Sequence, residues 1–105
     1  MIAMLLMASA AAAACPSAHA GTSLSGFALF DGPVTDNAVL APDTSRRRNG
    51  KLVQTWRVDG VYRAGRSLTL RCDYPRRPPL FVPVTRRMTT CRATWHAARP
   101  SLSCR

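Results

Sequence analysis

Apolar and polar residues alternate most cleanly over residues 67–74, Ser-Leu-Thr-Leu-Arg-Cys-Asp-Tyr. Leu68, Leu70, Cys72 and Tyr74 fall on one face and Thr69, Arg71 and Asp73 on the other, the period-two signature of a half-buried strand. This strand is expected at the centre of the sheet, with Cys72 turned toward the core. Upstream, residues 26–30 (Gly-Phe-Ala-Leu-Phe) are a short apolar run suited to a buried strand, broken by Asp31-Gly32-Pro33. Asp31 can cap a helix start, Pro33 suits a first helical turn, and Val34 and Ala38 recur at helical spacing before Pro42, so residues 33–40 are expected to form a short helix. Residues 43–50 carry turn formers at both ends and a charge run between them, which predicts an exposed loop.

Strand character resumes over residues 52–59, with Trp56 and Val58 as the inward pair, and Pro75-Arg76-Arg77-Pro78-Pro79 is expected to turn the chain after the central strand. In the return strand 80–85, Leu80, Val82 and Val84 are in phase, and Pro83 places it at a sheet edge or bulge. Residues 89–96 and 101–105 flank Ala97-Ala98-Arg99-Pro100 as a terminal hairpin. The fold class expected is mainly β: a small disulfide-stapled antiparallel sheet of about five short strands with one short helix.

Residues 1–14 are uncharged and apolar, too short to span a bilayer, and read as a secretory signal peptide, leaving residues 15–105 as a single small β-rich domain. Cleavage after Ala14 and after Ala20 both satisfy the small-residue rule. Cutting after Ala14 retains Cys15, Cys72, Cys91 and Cys104, an even set that can pair completely in an oxidising compartment, whereas cutting after Ala20 strands one thiol. Lipidation of Cys15 is the third alternative; it meets the same odd count, and Ala12 stands where a lipoprotein signal has Leu. The location expected is therefore periplasmic or secreted. Of the three possible connectivities, Cys15 with Cys72 and Cys91 with Cys104 is the one expected, because folding the terminal hairpin sets Cys91 nearly opposite Cys104.

Charge narrows the partners. The chain of 105 residues has 15 basic and 5 acidic side chains, net +10, and every basic residue but Lys51 is Arg. Such a density favours polyanionic surroundings, although GC-rich coding would also enrich Arg. Arg46, Arg47, Arg48, Arg76, Arg77, Arg86 and Arg87 fall in expected turns or at strand ends and are the candidate anion-binding residues. Two functions are compatible with this pattern. The first is a non-catalytic binding module for anionic envelope lipid or polysaccharide, or for an acidic protein partner. The alternative is a periplasmic enzyme inhibitor that plugs a cleft with a rigid loop such as residues 75–79. Nucleic acid is a poor partner for an exported chain.

No catalytic site is expected. His19 lies in the N-terminal arm and His96 beside Trp95, no motif aligns a nucleophile with a base, and the five Asp residues are mostly explained by turns and caps. Cys91, His96 and Cys104 match no closed zinc spacing, and no glycine-rich phosphate cradle is present, so no metal or cofactor is expected.

Cys15-Pro16, Phe30-Asp31-Gly32-Pro33, Trp56, Cys72-Asp73-Tyr74, Cys91 and Cys104, taken in that order, resemble a family of small exported proteins of Gram-negative bacteria. The resemblance implies compartment and fold and brings no activity with it. The Arg-rich segments depart from that family's less charged versions, so no ligand is carried across them.

Overall fold

The strand expected to be central lies in the middle of the smaller of two packed sheets. The computed structural model describes residues 13–105, and the expected leader falls outside them except for Ala13 and Ala14. The described strands are β1 (Ala13–Ala14), β2 (Ala18–His19), β3 (Thr22–Ser23), β4 (Gly26–Asp31), β5 (Thr44–Arg48), β6 (Lys51–Arg57), β7 (Leu68–Asp73), β8 (Leu80–Val84), β9 (Thr90–His96) and β10 (Arg99–Cys104), with one helix, α1 (Asp59–Arg63). They form a three-stranded sheet β4-β7-β8, a five-stranded sheet β1-β10-β9-β6-β5 and the small ribbon β2-β3. All pairings are antiparallel.

Alternation explains the core. Leu68, Leu70 and Cys72 point inward from β7 and are fully buried, beside Leu29 of β4 and Val84 of β8. The facing sheet contributes Trp56, Cys91, Ala93, Leu102 and Cys104 to the same cluster. Buried Trp56 and Tyr74 and half-buried Tyr62 satisfy their polar ends on backbone oxygens: Trp56 Nε1 donates to Leu40 O at 3.1 Å, Tyr62 OH to Val84 O at 2.9 Å and Tyr74 OH to Pro16 O at 2.6 Å. Phe30 is buried outside this cluster, on the other face of β4, with the Arg71 guanidinium 5.8 Å from its ring centroid.

Two disulfides complete the frame, Cys15 to Cys72 and Cys91 to Cys104. The first joins the two sheets: Cys15 follows β1 and donates its N–H to Leu102 O of β10, while Cys72 is in β7. The second lies within the terminal hairpin. Thr90 and Arg105 exchange both backbone hydrogen bonds, so the neighbouring Cys91 and Cys104 form the close, non-hydrogen-bonded pair, with Cα atoms 3.9 Å apart.

Three expected elements are corrected. Residues 33–40 are not a helix; only Val34–Asp36 make a single 3₁₀ turn, closed by Asn37 at φ 52°. The edge of β4 competes successfully for the rest, because Asp31 N–H bonds Ala38 O, Leu40 N–H bonds Leu29 O, and an eight-residue helix is too short to outweigh those bonds. Residues 43–50 are not a loop but strand β5 and the Asn49-Gly50 turn of a β5-β6 hairpin, with φ of 50° and 77° at the two turn residues. Both residues of such a tight hairpin turn need positive φ, which Asn-Gly supplies. After Val58 the chain forms α1, where the sequence pattern predicts only a strand end and its connection. The helix closes in a Schellman turn, with Gly65 N–H to Tyr62 O and Arg66 N–H to Val61 O.

Candidate protein-binding face

The register of the five-stranded sheet sorts its outward side chains into rows. Arg48, Lys51, His96 and Arg99 lie abreast across the hairpin tips. Next come Arg46, Val53, Thr94 and Ser101, then Thr44, Thr55, Arg92 and Ser103, and at the far end Arg57 and Thr90, with Arg105 continuing past β10. A floor of hydroxyl groups and one valine is thus ringed by seven basic side chains, and no Asp or Glu stands in these rows. The face is indented: a groove of about 600 Å³ is lined by Arg46, Arg48, Val53, Thr55, Arg92 and Arg105, among others.

Its charge is little neutralised, because four of the five acids are committed elsewhere and only Asp43 lies against its far end, beside Arg57. Asp31 holds Arg66 through two hydrogen bonds at 2.6 and 2.9 Å, and Asp36 adds its field at the same guanidinium. Asp59 pairs with Arg63 at 3.3 Å, and Asp73 with Arg71 at 3.1 Å. Asp43 accepts the Arg57 backbone N–H. Hydrogen bonding by Arg66 holds the Asp31 carboxyl below its ordinary value and raises the guanidinium in turn. Burial pushes the Tyr62 and Tyr74 phenols up, which keeps both as hydrogen-bond donors at neutral pH.

The candidate arginines separate onto three segments. Arg46 and Arg48 are on this face, but Arg47, one residue out of phase, turns to the opposite side beside Leu52 and Trp95. Arg76 and Arg77 occupy the β7-β8 turn, where Arg77 reaches Ala20 O at 3.3 Å, and Arg86 and Arg87 lie in the β8-β9 connection. Neither of these pairs lines the groove. Sequence reasoning missed Lys51, Arg57, Arg92, Arg99 and Arg105; for Arg92 and Arg105 the signal was alternation with Thr90 and Thr94, and with Ser101 and Ser103, in segments the pattern already marks as strands.

The remaining chemistry is sparse. His19 packs against Tyr74 with ring centroids 5.3 Å apart, and His96 is exposed at a strand end. Among the described residues, no group of three His, Cys, Asp or Glu side chains is placed to hold a metal ion, and no helix is long and apolar enough to cross a membrane.

A model of the type VI secretion system Tli immunity protein family matches residues 17–105. The chain belongs to that family. Comparison with curated proteins and with solved structures gave no match. Membership in the Tli immunity protein family favours a protein partner over envelope lipid or polysaccharide, so the inhibitor is the better of the two functions read from the sequence. It is also in keeping with a non-catalytic role, and the two disulfides fit the oxidising, exported setting of such a protein.

Proposed function

We propose that this chain is a periplasmic immunity protein that neutralises a secretion-system toxin by stoichiometric binding, with the outer face of the five-stranded sheet as its contact surface. The observation that carries the reading is the concentration of seven basic side chains around a grooved floor, with no Asp or Glu among its rows. A standard interface takes roughly 800 Å² from each partner, about a tenth of this molecule's 7370 Å² surface. The face combines a grooved, small-residue centre with arginines able to make charge-assisted bonds to carboxylates.

Export fits the same picture. Cleavage after Ala14 removes β1 but keeps Cys15 and its bond to Cys72, while cleavage after Ala20 would leave Cys72 buried with no partner. An intact mass beginning at Cys15 is expected from periplasmic material, and a mass beginning at Gly21 overturns this processing.

The functional test is rescue. Sensitive cells receiving a panel of type VI toxins in the periplasm should be protected by the chain against its cognate toxin, and the two proteins should co-elute as a complex. Replacing Arg46 and Arg92 together by Gln should weaken that complex at least about tenfold, since buried interface arginines are frequent hot spots. Weakening should also follow from added salt. Unchanged affinity in a folded double variant would remove this face from the interface, and failure to protect against any toxin would overturn the function.

A further inference from the structure

Sheet edges attract other strands, and three of the four main edges here are closed. On β8, Pro83 pairs with Thr69 and has no N–H to offer. The outer edge of β4 is occupied by Ala38 and Leu40, which bond Asp31 and Leu29. On β10, Pro100 lacks a donor and Leu102 O accepts the Cys15 N–H, so this edge stays interrupted even when Ala13, which pairs with Cys104, is removed with the leader. The fourth edge is β5. Among the described residues it pairs only with β6, all five of its residues are exposed, and it contains no proline.

Hairpin geometry fixes what that edge presents. Arg48 and Lys51 flank a two-residue turn, so the backbone groups of Thr44, Arg46 and Arg48 face β6, and those of Ser45 and Arg47 point away from the sheet. Ser45 and Arg47 therefore offer two N–H and two C=O groups in the spacing that an added strand requires. A strand laid there would place its outward side chains beside Arg46 and Arg48, at the closer, non-hydrogen-bonded positions. Those two side chains also line the groove, which makes edge and face one continuous surface.

We propose that β5 receives an extended acidic segment of the partner protein as a sixth strand, with carboxylates at alternate positions meeting Arg46 and Arg48. The charge selects the occupant. Two β5 strands from separate copies would set arginine against arginine, which like-charge repulsion disfavours, whereas alternating Asp or Glu complements it. This rests on the toxin-binding reading and specifies how the partner is engaged.

The test uses the folded, oxidised chain and a labelled capped peptide, Thr-Asp-Val-Asp-Val-Asp-Thr. Binding is expected by fluorescence anisotropy, with slowed amide exchange at Ser45 and Arg47 and little change at Arg46 and Arg48, whose amides already face β6. N-methylating both Val amides, which would bond the β5 edge, should weaken binding at least about tenfold, while N-methylating the Asp amides should not. R46Q/R48Q should lose about as much as Val methylation. Equal binding by both methylated peptides, exchange unaffected at Ser45 and Arg47, or no binding up to about 1 mM overturns strand addition. Dimerisation of the chain with protection of the same two amides also overturns it, in favour of a second copy. If the cognate toxin still binds and is neutralised without protecting Ser45 and Arg47, strand addition alone fails; if no toxin binds, the proposed function fails with it.

Discussion

The bond between Cys15 and Cys72 is the covalent link between the two sheets, and removing it tests the frame directly. The bonded cysteines are 57 residues apart, against 13 for Cys91 and Cys104. In the chain-entropy account, closing the longer loop removes about 4 kcal/mol of unfolded-state freedom and the shorter about 3. The hairpin turn already holds Cys91 near Cys104, so its bond should contribute less than that figure, whereas no local turn brings Cys15 to Cys72. Substituting Ala at both cysteines of each pair in separate proteins should therefore give unequal losses, the larger from C15A/C72A. That loss corresponds to on the order of 20 °C in melting temperature for a domain of this size. Urea unfolding followed by tryptophan fluorescence and far-UV circular dichroism measures both. The loops do not overlap in sequence, so the losses should add to within about 0.5 kcal/mol in a four-Ala protein if it still folds. An equal or smaller loss from C15A/C72A refutes the entropic reasoning and would place the frame's main stabilisation in the hairpin.

Three further outcomes are expected. Tyr74→Phe deletes the 2.6 Å bond to Pro16 O and should cost about 1 kcal/mol in urea unfolding while retaining the aromatic packing; no change would mean that the arm is held by the disulfide alone. Gly50→Val places a β-branched residue at φ 77° and should destabilise the β5-β6 hairpin by about 1–2 kcal/mol, read as faster amide exchange in β5 than in β9. Asp31 has a lower pKa folded than unfolded, so the stability contributed by its pairing with Arg66 is present above about pH 4 and lost as pH falls through the lowered folded-state value; Asp31→Asn should flatten that part of the acid limb, and an unchanged limb refutes the assignment.

The core was legible where side chains alternate in burial. Leu68, Leu70, Cys72, Tyr74, Trp56, Val58 and Val84 are buried as their phase requires, and the terminal hairpin forms, although its turn is Ala97-Ala98 alone and the expected turn residues Arg99 and Pro100 belong to β10. What escaped was decided by backbone chemistry. A run of three arginines reads as a solvated loop until Asn49-Gly50 is recognised as a hairpin turn, and residues 33–40 look helical until the edge of β4 supplies partners for their amides. The same misreading hides the proposed contact face: with Arg46 and Arg48 assigned to a loop, their alignment across the sheet with Lys51, Arg92 and Arg99 cannot be drawn. Cross-strand register, which depends on distant segments, is the information that local periodicity lacks.

The disulfides also join cysteines in the order in which they occur: first with second, third with fourth. For a chain threading N-terminus first through a membrane pore into an oxidising space, each cysteine that arrives unpaired meets its proper mate as the next thiol to emerge. Oxidation in simple order of appearance yields the native bonds, with no wrong bridge to undo and no dependence on an isomerase. For the proposed periplasmic immunity role such a wiring plan would let maturation keep pace with translocation.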